Sequence, residues 1–228
     1  MPIVADMSST TPQLAMSRAM SHPIRLHRFA LSGHAHRAEL MLSLLALPHE
    51  CIDVDLVRGE HKREAFLALN PFGQVPVIED GEVVVADSNA ILVYLAMRYD
   101  PEGRWLPRDP VGMAQVQRWL GAAAGFLLEG PAVARVEVLF GRPRDPSHAK
   151  VAARLFAVME RHLSQRDFLV GEHPTIADVA MYTYTSHAPE GGIALAPYPA
   201  IRAWLARIEA LPRFVGMARS PEASPLAA

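Results

Sequence analysis

The densest chemical signal in the chain is Asn70-Pro71-Phe72-Gly73-Gln74-Val75-Pro76-Val77, where a proline interrupts what otherwise reads as a strand. Proline cannot donate to a sheet ladder, so Pro76 belongs either in a turn on an edge strand or after a cis bond. In the cis case the chain bends sharply and leaves the N–H and C=O of Val75 free to pair with an extended peptide ligand. Farther along, Asp87-Ser88 opens an apolar helical pattern. The carboxylate of Asp87 suits an ammonium group, while Ser88 offers a hydroxyl and a helix N-terminal N–H suited to a carboxylate. Side by side they complement a zwitterion; taken alone, the dipeptide also reads as a plain helix cap. His34, His36 and His61 invite a metal site, but His34 and His36 stand two apart with no nearby carboxylate or third spaced ligand, so no metal is expected.

These residues need elements to hold them. Ile24–Leu31 reads as a strand, Ser32-Gly33-His34 breaks it, and RAELMLSLLAL follows with Met41, Leu44 and Leu45 at helical spacing. Ser32 and Gly33 on this reading make the turn and cap the helix that contains Arg37. Next, ECIDVDL alternates with Ile52, Val54 and Leu56 on one face, as in a half-buried strand. Its lone Cys51 is read as a small hydrophobe. HKREAFLALN suits a short helix, QVPVIEDGEVVVAD a hairpin about Asp80-Gly81, and SNAILVYLAMRY a helix with Asp or Ser as cap. The sum over residues 24–100 is βαβ followed by ββα.

Beyond Tyr99 the run DPEGRWLPRDP carries three prolines and a glycine, which marks residues 101–110 as a linker. Strand signals then vanish, and helical ones recur over roughly Met113–Leu128, Ala149–Leu163, Ile176–Ser186 and Pro199–Leu211, so residues 111–228 form an all-α domain. Thr175 and Asp178 have the spacing of a capping box, a folding device rather than a site. The terminal SPEASPLAA is expected to fray.

Bulk properties narrow the function class. The chain has 228 residues, 50% hydrophobic and 20% charged, with a formal net charge of −2. That composition suits a globular protein of two small domains or one large one, and no basic run with interleaved aromatics points to nucleic acid. No apolar stretch approaches the ~18–20 residues a membrane span requires, so no membrane partner is expected. A single cysteine excludes an internal disulfide, CxxC redox chemistry and thiolate zinc sites, and fits a reducing, cytoplasmic setting. Residues 1–23 lack the pattern of a signal peptide and are expected to be a mobile tail.

The βαβ–ββα order with NPFGQVPV, EDGEVVVADSNAI and a following helical domain with Thr175-Ile176-Ala177-Asp178 resembles the cytosolic glutathione transferase superfamily over residues 24–215. The resemblance implies a thioredoxin-like first domain in which Val75, before a cis Pro76, pairs its backbone with the cysteinyl part of glutathione. Gln74, Asp87 and Ser88 would bind the γ-glutamyl end. His61 and Lys62 resemble the family's basic pair facing the glycyl carboxylate, although GEHKRE is as readily a solvated turn. The family places a Tyr, Ser or Cys just after the first strand to act at the sulfur; here Ser32 is the matching hydroxyl, with His34 where many relatives carry Asn.

A cysteine-type thiol near pKa ~8.5 leaves only a few per cent thiolate at neutral pH, and lowering it by about two units corresponds to ~2.7 kcal/mol. One or two aimed hydrogen bonds in a dry site supply that. Glutathione S-transfer to a small apolar electrophile is therefore the leading implication, with glutathione as co-substrate. Glutathione-dependent disulfide or peroxide reduction, and a catalytically silent binding protein of the same fold, are the alternatives. The resemblance also implies a homodimer, with Phe72 and the helix after Ser88 at the interface unless Phe72 fills the core. Met181–His187 and the loop PEGGIALAPY are placed beside the second-substrate pocket, or else Tyr182 and Tyr184 belong to a core helix.

Overall fold

The computed structural model describes residues 22–226, so all of the expected tail except His22 and Pro23 lies outside the described residues. Strand β1 (Ile24–Arg28) runs parallel to β2 (His49–Asp53) and antiparallel to β3 (Val77–Asp80), which turns back into β4 (Val83–Ala86). The sheet order is β2-β1-β3-β4, so the Pro76-bearing chain enters an inner strand rather than an edge. Leu26 lies between Cys51 and Ile78 in register, and Ile24, Leu26 and Ile78 are fully buried. One face of the sheet is covered by α1 (Gly33–Leu44) and α3 (Ser88–Tyr99). On the other, Phe66 of α2 (Glu64–Leu69) packs on Val54 and Val77. A 3₁₀ turn at Glu60–Lys62 precedes α2. Strands β1 and β2 both end short of the apolar runs read from the sequence, because pairing stops at Arg28 and Asp53.

Residues 100–109 contain no helix or strand, and Asp109 then caps α4 (Pro110–Ala124) by accepting from Val111 N and Gly112 N. Pro110 at the first helical position loses nothing, since that N–H has no partner within a helix. After α4 come α5 (Val133–Leu139), α6 (Ser147–Leu163), α7 (Ile176–Ser186) and α8 (Pro199–Glu209), with a 3₁₀ turn at Ala188–Gly191.

The segment between Leu128 and Ala149 departs from expectation: no helix is read there from the sequence, and the chain stays helical through Gly130-Pro131 as far as Leu139. Leu128–Ala132 is a widened π turn that leads straight into α5. Pro131 has no N–H to return and its ring crowds the preceding turn, and the wider turn accommodates both. Gly130 is required by proximity, since a Cβ there would lie 2.9 Å from the backbone nitrogen of Ala152 in α6.

Helix α7 is buried along all 11 of its residues and touches α1, α3, α4 and α8. A helix buried on every side has nowhere to sit except the centre. Its expected capping box is present, and the buried Asp178 also accepts from Leu169 N and Trp204 Nε1, both at 2.9 Å. Around α7 one continuous apolar cluster joins Leu26, Met41 and Leu92 of the first half to Trp119, Phe156 and Trp204 of the second. Each such large side chain contributes about 1.5–3 kcal/mol on burial, so the two halves share their main source of stability. The chain end is not frayed as expected up to Leu226: Ala223 N and Leu226 N donate to Pro189 O and Gly192 O.

Candidate active site

A cleft of about 840 Å³ opens between the two halves, and every residue assigned above to glutathione or its sulfur lines it: Ser32, His34, His61, Lys62, Gln74, Val75, Pro76, Asp87 and Ser88. Local structure explains the convergence. Ser32 ends the turn after β1 and caps α1, its Oγ accepting from Ala35 N at 3.3 Å. Accepting leaves the hydroxyl proton free, so a capping serine remains a donor to anything in the cleft. The two readings of Ser32, cap and donor, are thus compatible.

Gln74 and Val75 are presented by a loop built on Asn70, a buried side chain that sequence reasoning passed over. Its Nδ2 donates to Gln74 O at 2.8 Å and its Oδ1 accepts from Phe72 N at 3.1 Å. The Val75–Pro76 bond is cis, and sheet pairing starts only at Val77, so Val75 stays outside the ladder. Lys62 Nζ reaches Gly73 O at 3.4 Å, and His61 Nδ1 is buried without a protein partner among the described residues.

Asp87 has φ +77°, in the left-handed region unfavourable to a residue with a side chain. Such backbone persists only when its surroundings over-determine it, and here Oδ1 accepts from both Asn89 N and Ala90 N at 2.9 Å. The exposed carboxylate and the buried Ser88 therefore sit side by side at the N-terminus of α3.

Behind Ser88 lies a residue that no local pattern in the sequence singles out. Arg37 is 1% exposed, and its Nη1 donates to Ser88 Oγ at 3.2 Å and to His34 Nδ1 at 3.0 Å. Its Nε and Nη2 are buried with no partner among the described residues, and its guanidinium lies 5.5 Å from the ring centre of Tyr184. Burial pushes Arg37 down to about 10, against the opposing pull of Tyr184 and Asp87. Burial and then the Arg37 charge push His34 down to about 3, so the imidazole is neutral. A surface helix position would have been the ordinary guess for Arg37; only the packing of α7 over α1 shows otherwise.

Tyr184 is the one residue of Met181–His187 and PEGGIALAPY to line the cleft, while Tyr182 is buried and bonded to Glu209. Tyr184 explains Gly33, where a Cβ would approach its ring to 2.7 Å. The apolar wall comes instead from Phe29, Leu31, Leu128, Val136, Leu139 and Phe140, with Phe29 and Phe140 stacked at 6.4 Å. Leu128 closes a helix expected from the sequence, whereas Val136 and Leu139 of α5 and its C-cap Phe140 lie beyond Gly130-Pro131. His187 goes elsewhere: it bonds Glu190, which pairs with Arg135 at 2.6 Å, and Arg135 Nη1 donates to Leu31 O at 2.8 Å beside Ser32.

Cys51 is not among the residues lining the cleft. His34 and His36 diverge, His36 bonding Thr183 Oγ1 and Val215 O. Among the described residues no cluster of three His, Cys, Asp or Glu side chains is placed to hold a metal, and no helix is long and apolar enough to cross a membrane.

The architecture is shared with known proteins. A family profile described as glutathione S-transferase, N-terminal domain, matches residues 31–98, and one described as glutathione S-transferase, C-terminal domain, matches residues 143–212. Glutathione S-transferase 3 of Zea mays is 34% identical over 203 residues, covering 84% of this chain and 91% of that protein. The crystal structure of a glutathione S-transferase from Pseudomonas fluorescens superposes with a TM-score of 0.80 at 37% identity, over 86% of this chain and 99% of the other. A glutathione transferase homologue from Drosophila mojavensis, solved with bound glutathione, superposes with a TM-score of 0.76 at 26% identity, over 83% and 89%. With both halves matched and relatives aligned over nearly their full length, the chain belongs to the glutathione S-transferase family.

Proposed function

We propose that this protein is a serine-type glutathione S-transferase acting on small, largely apolar electrophiles. The observation that carries the reading is the division of a single cleft into a polar wall, with Gln74, Val75, Asp87 and Ser88, and an apolar wall from Phe29, Leu128, Val136, Leu139 and Phe140, with Ser32 also lining it. On the polar wall Asp87 meets the γ-glutamyl ammonium and Ser88, at the N-terminus of α3, its carboxylate. Val75 pairs its N–H and C=O with the cysteinyl residue, and Gln74 adds to the γ-glutamyl contacts. His61 and Lys62 face the glycyl carboxylate.

The thiol proton leaves to solvent, and the Ser32 hydroxyl donates to the resulting thiolate from the N-terminus of α1, where the helix dipole also favours negative charge. The sulfur then attacks the electrophilic carbon; a C–S bond forms, and with an aryl halide the C–halogen bond breaks and halide departs. Neither disulfide or peroxide reduction nor a silent binding role has an observation in its favour.

Calorimetric titration with glutathione tests the polar wall. Wild type should bind, and Ser88→Ala should bind about 10–100-fold more weakly, as expected on losing one hydrogen bond to a charged group. Absence of binding by wild type at millimolar glutathione would sink the enzymatic reading. The proposed homodimer rests on apolar side chains left in solvent on both halves: Phe72, 81% exposed and so not core, with Met97 of α3, Val111, Phe126 and Val158. Light scattering should give twice the chain mass, and Phe72→Ser should lower it.

A further inference from the structure

Serine alone does not account for the polar floor of the cleft. Arginine is a donor only, so the 3.0 Å contact from Arg37 Nη1 requires His34 Nδ1 to accept, and the ring proton must then be on Nε2. Nη1 carries two hydrogens, and the second goes to Ser88 Oγ at 3.2 Å. His34 itself lines the cleft and stands two residues after Ser32. Its Nε2 has no protein partner among the described residues and is not among the sealed-off polar atoms, so the N–H has access to the open side.

The charge behind it is unusual. A buried guanidinium without a carboxylate costs several kcal/mol by ordinary estimates, and burial of this kind is retained where an anion is to be met. The ionisable groups around Arg37 are His34, Tyr184 and Asp87. Tyr184 is buried and its hydroxyl is pushed up, first by desolvation, so it stays neutral. Asp87 commits an oxygen to the cap of α3. No protein anion therefore neutralises Arg37 at hydrogen-bond distance among the described residues.

We propose that Arg37 is a positioning residue for thiol activation: it locks His34 as an Nε2–H donor toward the glutathione sulfur, beside Ser32, and places an uncompensated positive charge behind the thiolate. The proposal rests on the glutathione-binding reading given above. The thiol proton still leaves to water, because a neutral imidazole with its only lone pair facing Arg37 cannot accept it. His34 thus acts as a donor, and the device lowers the thiol pKa without any base.

The test is a titration of the ultraviolet thiolate absorbance of the glutathione complex in wild type, Arg37→Met and Arg37→Lys, each with glutathione affinity measured by calorimetry. Loss of the charge and the donor in Arg37→Met should raise the bound thiol pKa by about one unit, an approximately tenfold loss of thiolate well below that pKa, with Arg37→Lys recovering at least half of the shift. An unchanged thiol pKa in glutathione-loaded Arg37→Met overturns the proposal and leaves the transferase reading intact. A wild type whose bound thiol titrates near its free value overturns both. Nitrogen NMR of the wild-type imidazole does not depend on any variant folding. His34 should show protonated Nε2 and bare Nδ1 across about pH 5–9, and the opposite tautomer, or a midpoint near the usual ~6.5, overturns the proposal.

Discussion

Arg37 and Arg135 are buried to the same degree, 1% exposed, on either side of the turn that carries Ser32, and the protein treats them in opposite ways. Arg135 is neutralised: its Nε pairs with Glu190 at 2.6 Å, Glu190 also bonds His187, and Nη1 holds Leu31 O. Arg37 has no carboxylate at hydrogen-bond distance among the described residues and spends its bonds on His34 and Ser88. One guanidinium closes a network that ties α5 to the first half of the chain. The other is left electrostatically open at the base of a cleft. Burial by itself therefore says little about purpose; what decides is whether the charge is answered from within.

Removing each arginine should break the two apart. Arg135→Met leaves Glu190 buried without its cation, so unfolding in urea should show a loss of about 3–5 kcal/mol. Arg37→Met removes a buried charge that no carboxylate at hydrogen-bond distance answers among the described residues, so its stability should stay within about 1 kcal/mol of wild type. Equal losses would mean that both are structural.

The Arg135 network also predicts a pH dependence. Burial pushes His187 down to about 4, outweighing the raising effect of Glu190, so the folded state keeps it neutral while the unfolded chain protonates it near 6.5. Below 6.5 the unfolded state binds the extra proton, and stability falls with falling pH until about 4. The contribution lost between pH 6.5 and 5 is about 2 kcal/mol, and His187→Gln should flatten that part of the curve. Glu190 runs the same way: burial raises its pKa, but the bonds from Arg135 and His187 win and hold it below the usual carboxylate range, so its contribution disappears at still lower pH.

A stability change of similar small size is expected at Ser32, where the cap and donor roles separate. Ser32→Ala should cost about 1 kcal/mol in unfolding through the lost cap. The same substitution should lower turnover about 100-fold if the hydroxyl also meets the thiolate, and turnover near wild type would leave only the cap.

Much of this site is legible in the sequence alone. Pro76 inside a strand pattern, Asp87-Ser88 at a helix start and the Ser32-Gly33 turn are local signals, and local backbone chemistry is what a sequence displays most directly. The helical order of the second half is equally plain, because α6 and α8 have well-separated polar and apolar faces. What stayed hidden depended on distant segments. Arg37 looks like any helical arginine until α7 is laid over it. Phe140 and Leu139 reach the cleft only because the chain remains helical through Gly130-Pro131, against the usual meaning of that pair, and the backbone of Ala152 explains the glycine.

The π turn at Leu128–Ala132 has a consequence for how this pocket changes over evolutionary time. A π turn holds one residue more than the α turn it replaces, and one residue corresponds to about 100° of helical rotation. Loss of a single codon there would turn Val136 and Leu139 away from the cleft together, and would also carry Arg135 off Leu31 O and Glu190. The phase of α5 thus sets the apolar wall and the Arg135 network at once, and neither can turn without the other.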